Sequence, residues 1–211
     1  MKERYDDLDE YIADLKAEIA QNDQCATHYY NLGLALLTKR DFVAAEEAFL
    51  EAVRNSPHLA EAYVQLGGIC LERGDLDGCL RYNEEAANCR AKFPVPLSNI
   101  AFVHLQRGEP DKAIAALRKA LKWDPKFVQA QNALATALYM KGEYAACEQA
   151  CRDAVKLEPG FAPAWNNLAL ALFELERFEE AEEAVSKARE LGFDVPEGFM
   201  EELRLRARRE A

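Results

Sequence analysis

Alanines stand at positions 52, 86, 120, 154 and 188, a step of 34 residues that recurs without exception. Self-similarity at a fixed period of roughly 20–50 residues marks an array of small supersecondary units, not one closed core. Pro57, Pro125 and Pro159 fall on the same grid, and Ala91 takes the skipped register. The grid divides the chain into five units, residues 26–59, 60–93, 94–127, 128–161 and 162–195, with 1–25 before them and 196–211 after.

Each unit reads as two helices. In the first, large residues occupy the fourth and seventh places, as in Tyr29 and Leu32, Tyr63 and Leu66, Leu97 and Ile100, and Trp165 and Leu168. A small residue follows at the eighth: Gly33, Gly67, Ala101, Ala135 or Ala169. This spacing sets a bulky stripe beside a shallow notch on one helical face. A polar break comes next, where Gly74, Gly108 and Gly142 can take the left-handed conformation that ends a helix. The second helix carries pairs of small residues, Ala45 and Ala52, Ala113 and Ala120, Ala181 and Ala188, that let its partner approach closely. With 10 glycines, 8 prolines and abundant alanine and leucine, the chain favours helix throughout and almost no strand.

The set Trp/Tyr, Leu, Gly/Ala, then Ala, Phe/Leu, Ala and Pro at these spacings resembles the tetratricopeptide repeat family, as in AYVQLGGICLERGDLDG and AWNNLALALFELERFEEAEEAVSKA. The resemblance implies an all-α fold, a right-handed α-solenoid (superhelix) of five helix pairs with an N-terminal and a C-terminal capping helix. Gln131 and Asn83 replace usual aromatics, and Phe193 replaces a closing proline.

One helix pair cannot bury its apolar face alone, so stacked neighbours supply the core and the ends need lids. Leu8, Ile12, Leu15 and Ile19 form an amphipathic stripe suited to one lid. Phe199 and Leu203 suit the other, with Pro196 at a helix start and Arg204, Arg206, Arg208 and Arg209 at a helix end. This tail reads as a cap, with a basic docking tail as the alternative.

A net charge of −11 disfavours nucleic acid and anionic lipid as partners. The charge is uneven: residues 1–25 and 162–195 carry −5 each, whereas 94–127 carry +3. No segment approaches the ~18 uninterrupted apolar residues of a membrane span, and no signal-like apolar region opens the chain. The cytoplasm is the expected compartment, and the six cysteines fit it as free thiols.

The sequence holds no phosphate loop, nucleophile elbow, HExxH or dinucleotide fingerprint, so neither catalysis nor a cofactor is expected. His28, His58 and His104 are scattered, with His104 at a place where the family has a buried aromatic. Cys147 and Cys151, four apart, could face one metal, but they fall where other units place Ala45 and Phe49 or Ala113 and Leu117. Free apolar thiols are the plainer reading. The cluster Arg118, Lys119, Lys122 and Lys126 reads as a solvated face or as a site for an acidic segment, including the acidic ends of another copy.

The resemblance also implies that the first helices line a concave groove for an extended or helical peptide. The candidate residues are Tyr30, Leu34 and Val64 in the first two units and Phe102 in the third. Asn132, Thr136 and Tyr139 follow in the fourth, with Asn166, Leu170 and Phe173 in the fifth. Lysine and arginine are absent from the groove places, which argues against a carboxylate clamp. Leu37, Leu71, Leu105, Tyr139 and Phe173, at the twelfth place, face either the groove or the next unit. The expectation is a non-enzymatic adaptor for an apolar or amphipathic protein segment; the alternative is a self-assembling scaffold, a homo-oligomer.

Overall fold

The computed structural model describes residues 7–210, with side chains up to Arg208. Residues 1–6 of the expected N-terminal cap, and the side chain of Arg209 in the basic tail, lie outside the described residues. The described residues contain α-helices and no strand.

The first helices of the units are α2 (Ala26–Thr38), α4 (Ala60–Glu72), α6 (Pro94–Gln106), α8 (Val128–Met140) and α10 (Ala162–Glu174). Their partners are α3 (Phe42–Asn55), α5 (Leu76–Cys89), α7 (Pro110–Trp123), α9 (Tyr144–Leu157) and α11 (Phe178–Glu190). Flanking them are α1 (Leu8–Gln21) and α12 (Glu197–Glu210). The helices gather into two compact units, one up to Ile100 and the other from Ala101, divided within α6. Each is a short stretch of α-solenoid built from helix hairpins.

The hairpin turn is the same device each time. Gly74, Gly108 and Gly142 lie at φ 78°, 68° and 74°, and Arg40 and Glu176 hold the same place at φ 60° and 59°. The following amide then reaches back across the turn, Asp41 N to Leu36 O at 3.0 Å and Arg177 N to Leu172 O at 2.9 Å. That pattern satisfies carbonyls which the end of the helix leaves without a partner. Asp41 and Asp75 then cap the second helix, accepting from Ala44 N at 3.1 Å and Gly78 N at 2.8 Å.

In the first unit, Ile12 and Leu15 of α1 join Leu32, Leu36, Phe49 and Leu66 in one buried cluster, with Leu8 and Ile19 packed at its margin. Phe49 is fully buried and its ring lies against Gly33, where an added Cβ would stand 2.5 Å from Cε1. The notch at the eighth place is therefore a seat for a side chain of the second helix. Asn83 takes that seat opposite Gly67, donating to Cys79 O at 2.8 Å and accepting from Asn99 Nδ2 at 2.9 Å. A buried amide replaces the aromatic there, and it is tolerated because both ends are hydrogen-bonded.

In the second unit, Ala101, Ala135 and Ala169 are fully buried together with Leu117, Cys151 and Val185. Leu203 and Met200 of α12 close this cluster, and Phe199 meets Phe173 edge-on at 5.4 Å. Trp165, at the fourth place, finds a partner for its indole N–H in Pro159 O at 2.9 Å.

Candidate functional site

The candidate residues sit on the first helices, and each unit displays its own face. In the first unit, Tyr30 and Leu34 come from α2 and Val64 from α4, all half-buried. Tyr30 leans on Phe49, with ring centroids 5.7 Å apart. Burial, then the nearby Glu61 carboxylate, pushes its hydroxyl above the usual tyrosine range. It remains a neutral donor at ordinary pH. Leu34 packs at the edge of the core cluster.

The second unit gathers more polar chemistry. Asn132 and Thr136 lie one turn apart on α8, and Asn167 of α10 reaches both: its Nδ2 donates to Asn132 Oδ1 at 2.9 Å and to Thr136 Oγ1 at 3.1 Å. Thr136 Oγ1 donates in turn to Asn132 O at 3.2 Å. Asn167 is thus the amide that joins the two helices, whereas the sequence pattern singled out its neighbour Asn166. The side-chain amide of Asn166 is half-buried and has no hydrogen-bond partner among the described residues. An unengaged amide offers both a donor and an acceptor, the pair that an extended peptide backbone requires.

Tyr139 extends the same link. Its hydroxyl donates to Glu174 Oε1 at 3.0 Å, and its ring lies 5.4 Å from that of Tyr144. Burial, followed by the bond to Glu174, pushes its hydroxyl up to about 12. Phe102 and Met140 are exposed at 41% and 46%, large values for apolar side chains on a helix. Leu170 is half-buried. Phe173 is engaged in packing: Phe178 meets it at 5.7 Å, Phe199 at 5.4 Å, and the Arg206 guanidinium lies 5.8 Å from its centroid. The twelfth place therefore serves the contact between neighbouring helices as well as the surface.

Two surface depressions are lined by none of these candidate residues. One of about 230 Å³ opens between α11 and α12, lined by Val185, Arg189, Met200 and Leu203 among others. Another of about 240 Å³ has Phe42, Val43 and Ile69 in its wall.

Several other chemistry-bearing side chains are engaged in packing and hydrogen bonds, while His28 Nδ1 is buried without a hydrogen-bond partner. His104 Nδ1 lies 2.7 Å from Glu109 Oε2, and hydrogen bonds from Lys112 and His104 hold the Glu109 carboxyl below the usual range. Cys147 and Cys151 are fully buried; the hydrogen bond to Cys147, with burial, pushes the Cys151 thiol up. Cys70 and Cys79 are buried as well, and burial raises both. Among the described residues no three His, Cys, Asp or Glu side chains converge as metal ligands. No helix among them is long and apolar enough to cross a membrane.

Two sequence families, each described as tetratricopeptide repeat, match the chain, one over residues 12–60 and 100–160 and the other over 162–192. No curated protein matches. Solved structures share the fold. YrrB, described as a TPR protein with an unusual peptide-binding site, is 18% identical with a TM-score of 0.68 over 84% of this chain and 92% of its own. MamA is 22% identical with a TM-score of 0.68, covering 79% of this chain and 91% of its own. Yeast Tom70 is 20% identical with a TM-score of 0.72; the match takes in 99% of this chain but only 45% of Tom70.

Proposed function

The chain belongs to the tetratricopeptide repeat family, and from that premise we propose that it is a cytoplasmic adaptor, without catalytic activity, whose first-helix faces hold an apolar or amphipathic segment of a partner protein. The observation that carries this is the face of the second unit. There Asn166 presents an unengaged amide beside the Asn132–Thr136–Asn167 network, while Phe102 and Met140 stand exposed. Fixed polar groups among apolar side chains are what orients a peptide and fills pockets with its side chains. Tyr30, Leu34 and Val64 give the first unit a face of the same character. The likeness to YrrB, described as having a peptide-binding site, supports the same reading.

At the second, fifth, ninth, twelfth and thirteenth places of the first helices, which the family resemblance assigns to the groove, the charged residues are Glu61, Glu72 and Glu174, all acidic. A terminal carboxylate has no cation to meet there, so an internal segment is the fitting ligand. Six free thiols, four of them buried, support a reducing compartment.

Affinity capture followed by identification of the retained proteins tests this. Phe102→Lys and Asn166→Ala should each lose the proteins that the wild type retains, with unchanged helical circular dichroism. Val43→Lys, on α3 and already 72% exposed, should retain them. Equal retention by all forms would refute the proposal.

A further inference from the structure

Two second helices of the second unit carry opposite charge that the chain leaves uncompensated. On α7, four cations stand against one carboxylate; on α11, five carboxylates stand against two cations. Several of these charges are satisfied locally. Lys112 pairs with Glu109 at 3.0 Å, Glu180 with Arg177 at 2.7 Å and Arg152 at 3.1 Å, and Glu190 with Lys187 at 2.8 Å.

The rest are not. Arg118, Lys119, Lys122 and Lys126 are exposed and pair with no carboxylate among the described residues, and Lys119 lies 5.2 Å from the centroid of Trp123. Glu179, Glu182 and Glu183 are likewise exposed and without a cation, around a broad shallow depression of about 640 Å³. On α7, Lys122 lies four residues from Arg118 and three from Lys119, and on α11, Glu182 and Glu183 lie three and four from Glu179, so each set shares one side of its helix; Lys126 sits in the turn after α7.

We propose that the basic face of α7 docks on the acidic face of α11 of a second copy of this chain. The two helices are of nearly equal length, 14 and 13 residues, and their excess charges are equal and opposite. The faces lie on different hairpins, so each copy carries both halves of the contact. Two copies related by a twofold axis pair both faces at once and close as a dimer, whereas a rotation that does not close leaves one face of each sign free and adds further copies. The net charge of −11 opposes association at long range. At about 0.15 M salt, screening over roughly 8 Å removes most of that repulsion, while charges in direct contact still attract. At about 1 M the screening length falls to roughly 3 Å, and the attraction fades as well.

Sedimentation velocity on the full chain, over a hundredfold range of concentration, reads the outcome. At about 0.15 M salt the wild type should gain mass with concentration, to a dimer or a larger assembly. The double variant Lys119→Glu/Lys122→Glu should stay monomeric, and so should Glu182→Lys/Glu183→Lys. Mixing these two variants should restore assembly, because each then supplies the complement that the other lacks. All four positions are exposed, and circular dichroism confirms that each variant is folded. A wild type that is monomeric at every concentration overturns the proposal. So does association that survives either reversal, or a mixture that stays monomeric.

Discussion

Gly33 and Gly68 show how much one methyl group decides in this fold. A Cβ at position 33 would press on the Phe49 ring at 2.5 Å, and that ring is fully buried with no free side to move into. Gly33→Ala should therefore cost about 1–3 kcal/mol through overpacking. Gly68 is helical, and its added Cβ would meet nothing within 4 Å. Gly68→Ala should instead gain about 0.5–1 kcal/mol, since alanine loses less backbone entropy in a helix. Urea titrations followed by circular dichroism separate the two, and the same sign for both would contradict the packing described here.

The notch was legible in the sequence, because a small residue recurs at one register of every unit. Its occupant was less so. Asn83 reads from the sequence as a lost aromatic, whereas the structure shows a satisfied amide held by Asn99. Amides recur at the sixth place in Asn31, Gln65, Asn99 and Asn167, with Ala133 the exception, but the family resemblance does not count that place in the groove, so the sequence assigns Asn167 no role. Only the geometry across two helices shows what that amide does.

At the scale of elements, the sequence places a turn in every unit, but it assigns the left-handed residue of that turn from glycine alone and so leaves it open in two of the five. Arg40 and Glu176 adopt the left-handed conformation without glycine's freedom, at φ 60° and 59°. A residue with a Cβ pays a steric cost there that glycine avoids. Arg40→Gly and Glu176→Gly should each stabilise the chain by roughly 0.5–1 kcal/mol, measured as a shift in the urea midpoint. A loss of stability would mean that these side chains contribute more than the strain they bear. The two end helices were legible as amphipathic stripes, and Ile12, Leu15 and Leu203 are buried as the spacing implies. The engagement of Phe173 was not, because it depends on where α12 places Phe199. Sequence spacing gives a helix its apolar face but not the particular ring it will meet.

For the whole molecule, the division of labour follows from the hairpin. Second helices supply alanine-lined contacts to their partners and charged outer faces, while first helices display the amides and exposed apolar groups from which binding is proposed. The central claim is that a partner segment lies on the first helices. Hydrogen–deuterium exchange of the chain, with and without a captured partner, addresses it most directly, at protein concentrations low enough for the free chain to be monomeric. The account predicts slowed exchange in α8 and α10, centred on Asn132 to Tyr139 and Asn166 to Leu170, with α7, α9 and α11 unchanged. Slowing confined to those second helices, with α8 and α10 exchanging as in the free chain, would contradict it.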